Sequence, residues 1–145
     1  HSSYVLNKLS INKLCLLSNG YVQLKSLDKD VVRLVKRLPG YDTLRVVLAK
    51  KVILVEGPSD ELLIKKIFLS RYDCLPEDKC IDVIVVRGLG FSTYLEIGKE
   101  LKHLVRVVRD NDGDFEQNIA VWKADYKDHP SIEFYSPTDN KQSSL

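Results

Sequence analysis

Two short acidic segments hold the residues best suited to chemistry: Glu56-Gly57-Pro58-Ser59-Asp60-Glu61 and Asp110-Asn111-Asp112-Gly113-Asp114. Each follows directly on a strand-like run, KVILV at 51–55 and VRVVR at 105–109. If those runs are neighbouring strands, Glu56, Asp60, Asp110 and Asp112, with Asp114 beside them, share one pocket. Carboxylates gathered in that way repel one another and push their pKa values up. Divalent cations relieve the repulsion, and hard oxygen donors with little His or Cys nearby select magnesium or manganese. Taken singly, each segment has a plainer reading. Ser59 is a natural helix cap, and Asp60 and Glu61 suit the positive end of a helix dipole. DNDGD suits a polar turn. An EF-hand loop counted from Asp110 fails, with Phe115 where glycine is needed and Val121 where glutamate is needed.

The surrounding elements decide whether the two segments meet. KVILVE (51–56) and IDVIVVR (81–87) are continuous apolar runs, the mark of strands buried on both faces. VRVVR (105–109) and SIEFYS (131–136) read as two more strands. Helices are expected over 59–71, with Leu62, Leu63, Ile67 and Phe68 as the apolar stripe, from Ser92 to about His103, and over 118–127. This alternation predicts an α/β fold, a parallel sheet of four strands flanked by helices on both faces. In such sheets ligand groups collect at the carboxyl ends of the strands, where both acidic segments lie. Upstream, Ser2 or Ser3 caps a short helix, and NKLCLLS (12–18) and YVQLKSL (21–27) form a hairpin through Asn19-Gly20. Val31, Leu34, Val35 and Leu38 then mark a helix face stopped by Pro39-Gly40, and a second short helix covers about 42–49.

Composition narrows the classes. The 145 residues are 44% hydrophobic and 29% charged, an ordinary globular balance that excludes a disordered tail, a collagen-like repeat or a disulfide-dense miniprotein. Cys15, Cys74 and Cys80 include no C-x-x-C, so zinc has little support and a reducing cytoplasm is the expected setting. No leader and no apolar run long enough to cross a bilayer is evident, so no membrane partner is expected. Residues 1–55 hold ten Lys and Arg against three acidic residues, and residues 56–145 hold twelve against seventeen. The basic half suits a polyanion and the acidic half suits cations facing it, although two solvated surfaces would look the same.

Strand, E-G-x-x-D, helix, then D-x-D at the end of a later strand resembles the Toprim domain of topoisomerases, primases, recombination mediators and OLD (overcoming lysogenization defect) nucleases. The resemblance implies that Glu56 acts in acid–base chemistry or binds metal, that Asp110 and Asp112 bind magnesium, and that Asp60 is a further ligand. Gly57 corresponds to the motif glycine, and Gly88 or Gly90 to the glycine after the second strand. OLD proteins place an ABC-type ATPase immediately upstream. HSSYVLNKL (1–9) looks like the segment that begins at its switch histidine, and residues 39–61 are similar to the junction into Toprim. On that reading His1 senses the ATP γ-phosphate, residues 1–50 are the ATPase remnant and linker, and residues 51–145 are the Toprim catalytic domain. The other origin of His1 is an affinity tag. Leu14, Leu16 and Val22 would then pack on the rest of the ATPase. One departure concerns the downstream catalytic lysine or glutamate of OLD nucleases. Ser136, Asp139 and Lys141 do not match its spacing, so a site truncated at its C-terminus, weakly active or inactive alone, is expected.

The resemblance implies a magnesium- or manganese-dependent endonuclease that nicks or cleaves DNA through two ions, partnered by its own ATPase domain and homodimeric at full length. One ion would sit on Asp110 and Asp112, the other on Glu56 and Asp60. Glu56 ends a buried strand, where desolvation raises its pKa and suits it to proton transfer. Arg87 and Arg109 either contact phosphate or neutralise the acidic cluster. Two other readings stay open: a catalytically silent Toprim or regulatory module binding metal or DNA, and a phosphatase of the haloacid-dehalogenase type. The latter has a D-x-D turn that DNDGD resembles, but on its first strand and with Thr or Val at the position of Asp114. Tyr94, Tyr126 and Tyr135 raise a topoisomerase nucleophile, against the commoner reading as half-buried packing residues.

Overall fold

The structure is a computed structural model that describes residues 15–17, 21–23, 29, 32–33, 45–46, 48–86 and 90–141. His1, Ser2, Ser3, Leu14, Asn19, Gly20, Arg87 and Gly88 lie outside the described residues, as do the side chains of Leu16 and Val22. Two short strands, β1 (Cys15–Leu17) and β2 (Tyr21–Gln23), pair antiparallel with Leu16 opposite Val22, as the hairpin pattern predicts. Lys29, Val32 and Arg33 are helical, and so are Arg45, Val46 and Leu48.

The main unit follows as β3 (Lys51–Val55), α1 (Pro58–Tyr72), β4 (Ile81–Val85), α2 (Gly90–Glu100), β5 (Leu104–Val108) and β6 (Ile132–Tyr135). Between β5 and β6 run a π-helical turn, Glu116–Ala120, and a short helix α3, Val121–Asp125. All four strands of the sheet are parallel, in the order β4-β3-β5-β6. The first strand therefore lies between the second and the third. That is the topological switch point of a doubly wound sheet, where the chain turns to opposite sides of the first strand and opens a crevice at the carboxyl edge.

Alternation along the strands builds two cores. Val52, Leu54, Ile84, Val105, Val107 and Phe134 join Leu95, Ile97 and Ile119 on the face covered by α2 and the segment before β6. Val55, Val83 and Val85 gather with Ile53, Val108 and Ile64 on the face covered by α1. Residues just before β3 also pack on the sheet. Val46 and Ala49 are buried in the larger core, Val32 packs against it, and Arg45 donates to Asp82 at 3.3 Å and to the Val83 carbonyl. A β-carbon on Gly98 would stand 2.6 Å from Val105 Cγ2, so glycine is what lets α2 approach β5.

One expectation needs correcting. The apolar stripe predicted for α1 is not its buried face: Leu62 is 69% exposed, and Leu63 and Ile67 are exposed as well. The half-buried line runs through Asp60, Ile64 and Phe68, with Glu61 and Lys65 beside it. Apolar residues are spread around this helix, so no single stripe could be read from spacing. Among the described residues, no helix is long and apolar enough to cross a membrane.

Candidate functional site

Parallel register carries the two acidic segments together. Val55 and Val108 are paired residues on adjacent strands, so Glu56 and Arg109 leave the sheet side by side at its carboxyl edge. Asp110 and Asp112 follow immediately, and Asp60 lies in the first turn of α1. The electrostatics at Glu56 register this convergence. Burial pushes its carboxyl above the ordinary value of 4.5. Arg109 opposes that rise, and Asp112, Asp110 and Asp60 all reinforce it.

The centre of the cluster is a cation. Arg109 Nε lies 2.9 Å from Glu56 Oε1, and its Nη2 lies 2.9 Å from Asp112 Oδ2. Nε also donates to the Asp110 carbonyl at 3.2 Å. On the other side, the guanidinium carbon stands 5.5 Å from the Phe91 ring centroid and 5.3 Å from that of Trp122. Of the two roles open to Arg109 in the sequence, neutralising the acidic cluster is the one it performs here. The aromatic backing of this arginine was not read from the sequence, because Phe91 and Trp122 belong to separate helices that meet only in the fold.

Asp60 accepts a hydrogen bond from the Gly57 N–H at 2.9 Å, the reach-back of a capping-box acid, so the helix-start reading of this residue also holds. Asp114 Oδ1 accepts from the Gln117 N–H at 3.1 Å and caps the π-helical turn. Gly57 is the extended N-cap of α1, whereas Gly90 and Gly113 take φ values of 70° and 81°, which glycine adopts without strain.

Asn111 was the residue missed. It is wholly buried between two outward-facing aspartates, where strand-like alternation continues past the end of β5. Its amide donates to the carbonyls of Pro137 and Asp139 at 2.9 and 3.1 Å, and its Oδ1 accepts from the Gly113 N–H at 2.9 Å. Asn118 Nδ2 donates to its backbone carbonyl at 2.9 Å. Asp112, at φ 50°, and Gly113 then turn the chain in the left-handed region. The available signal was the D-N-D-G order itself, since Asn is the usual residue for bonding its own turn.

The donor chemistry fits a hard divalent cation: carboxylates from two strand ends, with no thiol or imidazole among them. The Ser136 hydroxyl, directly after β6 at the same edge, is buried with no hydrogen-bond partner, leaving a polar atom for a ligand or water to satisfy. Among the described residues, however, no three Asp, Glu, His or Cys side chains stand closely enough to enclose an ion. Arg109 lies between Glu56 and Asp112 instead.

The candidate tyrosines are otherwise engaged. Tyr94 is buried in the core. Tyr126 donates to Glu96 at 2.9 Å, and burial with that bond pushes its phenol far above the usual range. Tyr135 donates to Glu133.

A four-stranded parallel sheet with two acidic segments at its switch point is an α/β fold of the Toprim-like kind. Residues 47–112 match the family model described as "Overcoming lysogenization defect protein-like, TOPRIM domain", and this stretch of the chain is an OLD-like Toprim domain. The matched stretch includes Glu56, Gly57, Asp60, Gly90, Asp110 and Asp112. No curated protein and no solved structure matches the chain. Toprim domains bind magnesium and are typically metal-dependent nucleic-acid enzymes. The phosphatase reading falls away with this assignment, since DNDGD follows the third strand of the sheet rather than the first.

Proposed function

We propose that this domain is the catalytic part of a magnesium- or manganese-dependent DNA endonuclease regulated by an ATPase domain of the same protein. The observation that carries the reading is the pairing of Val55 with Val108, which brings the E-G-x-x-D and D-x-D segments to one crevice. Asp110 and Asp112 are the proposed ligands of one ion, Glu56 and Asp60 of a second. Bound there, such ions supply charge to stabilise the oxygens of an in-line displacement at phosphorus. Glu56, whose carboxyl burial pushes upward, is the group suited to take a proton from the attacking water. Asp60 and the Gly57 N–H fix the loop that carries Glu56, and Asn111 fixes the loop that carries the two aspartates. His1 as an ATP-sensing residue, a homodimeric full-length protein and a cytoplasmic setting complete the proposal.

The test is plasmid nicking in manganese and in EDTA, by the full-length protein and its Asp110→Ala variant. Nicking that needs manganese and Asp110 supports the reading. Metal-independent nicking, or an Asp110→Ala variant as active as its parent, overturns it. A second reading, a silent metal- or DNA-binding module, draws on the Arg109 bridge, which already satisfies two of the carboxylates. Calorimetry that finds magnesium binding in a protein that never nicks would favour it.

A further inference from the structure

We propose that Arg109 is a resident counter-cation which a divalent ion must displace from Glu56 and Asp112, so that this one side chain sets the metal affinity of the site. The inference rests on reading the crevice as a metal site, and it adds a positioning residue whose role that reading leaves open. Ordinary surface ion pairs hold their partners loosely and contribute little. Arg109 differs in three respects. Its side chain is only 13% exposed. Its two arms reach two different carboxylates, each at 2.9 Å, and one arm also reaches the Asp110 carbonyl. Its far side lies against the rings of Phe91 and Trp122, which favour a cation.

A guanidinium fork backed by aromatic faces and fronted by carboxylates is preorganised where it lies. A metal ion that takes Glu56 Oε1 and Asp112 Oδ2 does so at the expense of this fork, since Arg109 holds those two oxygens. Metal and arginine are therefore competitors for the same two oxygens. Removing the arginine leaves the carboxylates with only each other, which strengthens their attraction for any other cation.

Trp122, the only tryptophan in the chain, gives a readout that needs no substitution. Magnesium, which does not quench fluorescence as manganese does, is titrated into the full chain while calorimetry measures binding and Trp122 emission reports the arginine leaving its ring. The expected result is an emission change with the calorimetric midpoint, and at least tenfold tighter magnesium binding by Arg109→Gln. Arg109→Lys, which keeps the charge without the fork, is expected to fall between them and serves if the Gln variant does not fold. Magnesium binding with Trp122 emission unchanged, or with equal affinity in the variants, overturns the inference and leaves the metal site standing. No binding by the parent or either variant overturns both.

Discussion

The buried amide of Asn111 donates to the backbone carbonyl of Asp139 at 3.1 Å, tying the acidic loop after β5 to the segment after β6. With the second bond to Pro137, one side chain sets how far Asp110 and Asp112 stand from the sheet edge. Asn111→Ala leaves two carbonyls and the Gly113 N–H without these partners, which should lower stability by about 3 kcal/mol. Asn111→Asp should do at least as much harm, because it replaces the donor with a buried charge. Urea unfolding of the two variants measures this, with the slope expected to match that of the parent.

Gly98 offers a steric test. A Cβ at 2.6 Å from Val105 Cγ2 cannot be absorbed without moving α2 or re-orienting Val105. Gly98→Ala should destabilise by roughly 1–3 kcal/mol, the usual cost of overpacking. A Gly98→Ala, Val105→Ala double variant should recover part of that loss relative to additivity, as neighbours sharing one space do.

His103 sets a pH dependence. It is 6% exposed, its Nδ1 has no partner, and burial lowers its pKa from 6.5 to about 4. Because the depressed value belongs to the folded state, the unfolded chain binds the proton first. The contribution is fully present above pH 6.5 and is lost as pH falls towards 4, at most roughly 3 kcal/mol in all. Chemical unfolding at pH 7.5 and at pH 5 should differ accordingly, and His103→Leu should flatten that difference.

Glu56 titrates with the opposite sign. Its carboxyl is raised in the fold, so the folded state takes the proton more readily; that contribution is fully present below the ordinary 4.5 and is lost as pH rises through the raised folded-state value. Glu56→Gln should therefore melt no lower than the parent at neutral pH in EDTA, while losing manganese-dependent nicking. A clear drop in melting temperature would mean that the Arg109 ion pair outweighs desolvation and repulsion together.

The sheet was legible because strands buried on both faces are written as unbroken apolar runs, and each observed strand lies within two residues of its predicted span. The meeting of the two acidic segments was legible because carboxylates stand out at the ends of such runs. The choice between two roles for Arg109 was not, since it turns on Phe91 and Trp122, which sequence distance separates from the acidic loop. The buried line of α1 was misread because Leu62, Leu63, Ile67 and Leu69 surround the helix rather than line one side of it. The π-helical turn at Glu116–Ala120 leaves no local signature; it runs straight into Val121–Asp125, so the helix expected over 118–127 is present but changes type along its length.

The central placing of β3 also sets an order in time. Val55 must find Val85 on one side and Val108 on the other, so the strand made first waits longest for its second neighbour. On a ribosome, β3 and β4 can associate while β5 is still inside the exit tunnel, but β3 then has one edge bare and the crevice is half made. Long-range parallel pairing is also the slow part of folding, because the loop must close before its contacts repay the lost freedom. Glu56 therefore emerges alone, and the acidic crevice comes into being only when β5 docks. A nascent chain of this kind carries no assembled acidic crevice until its sheet is closed, so topology itself withholds the site until the fold is complete.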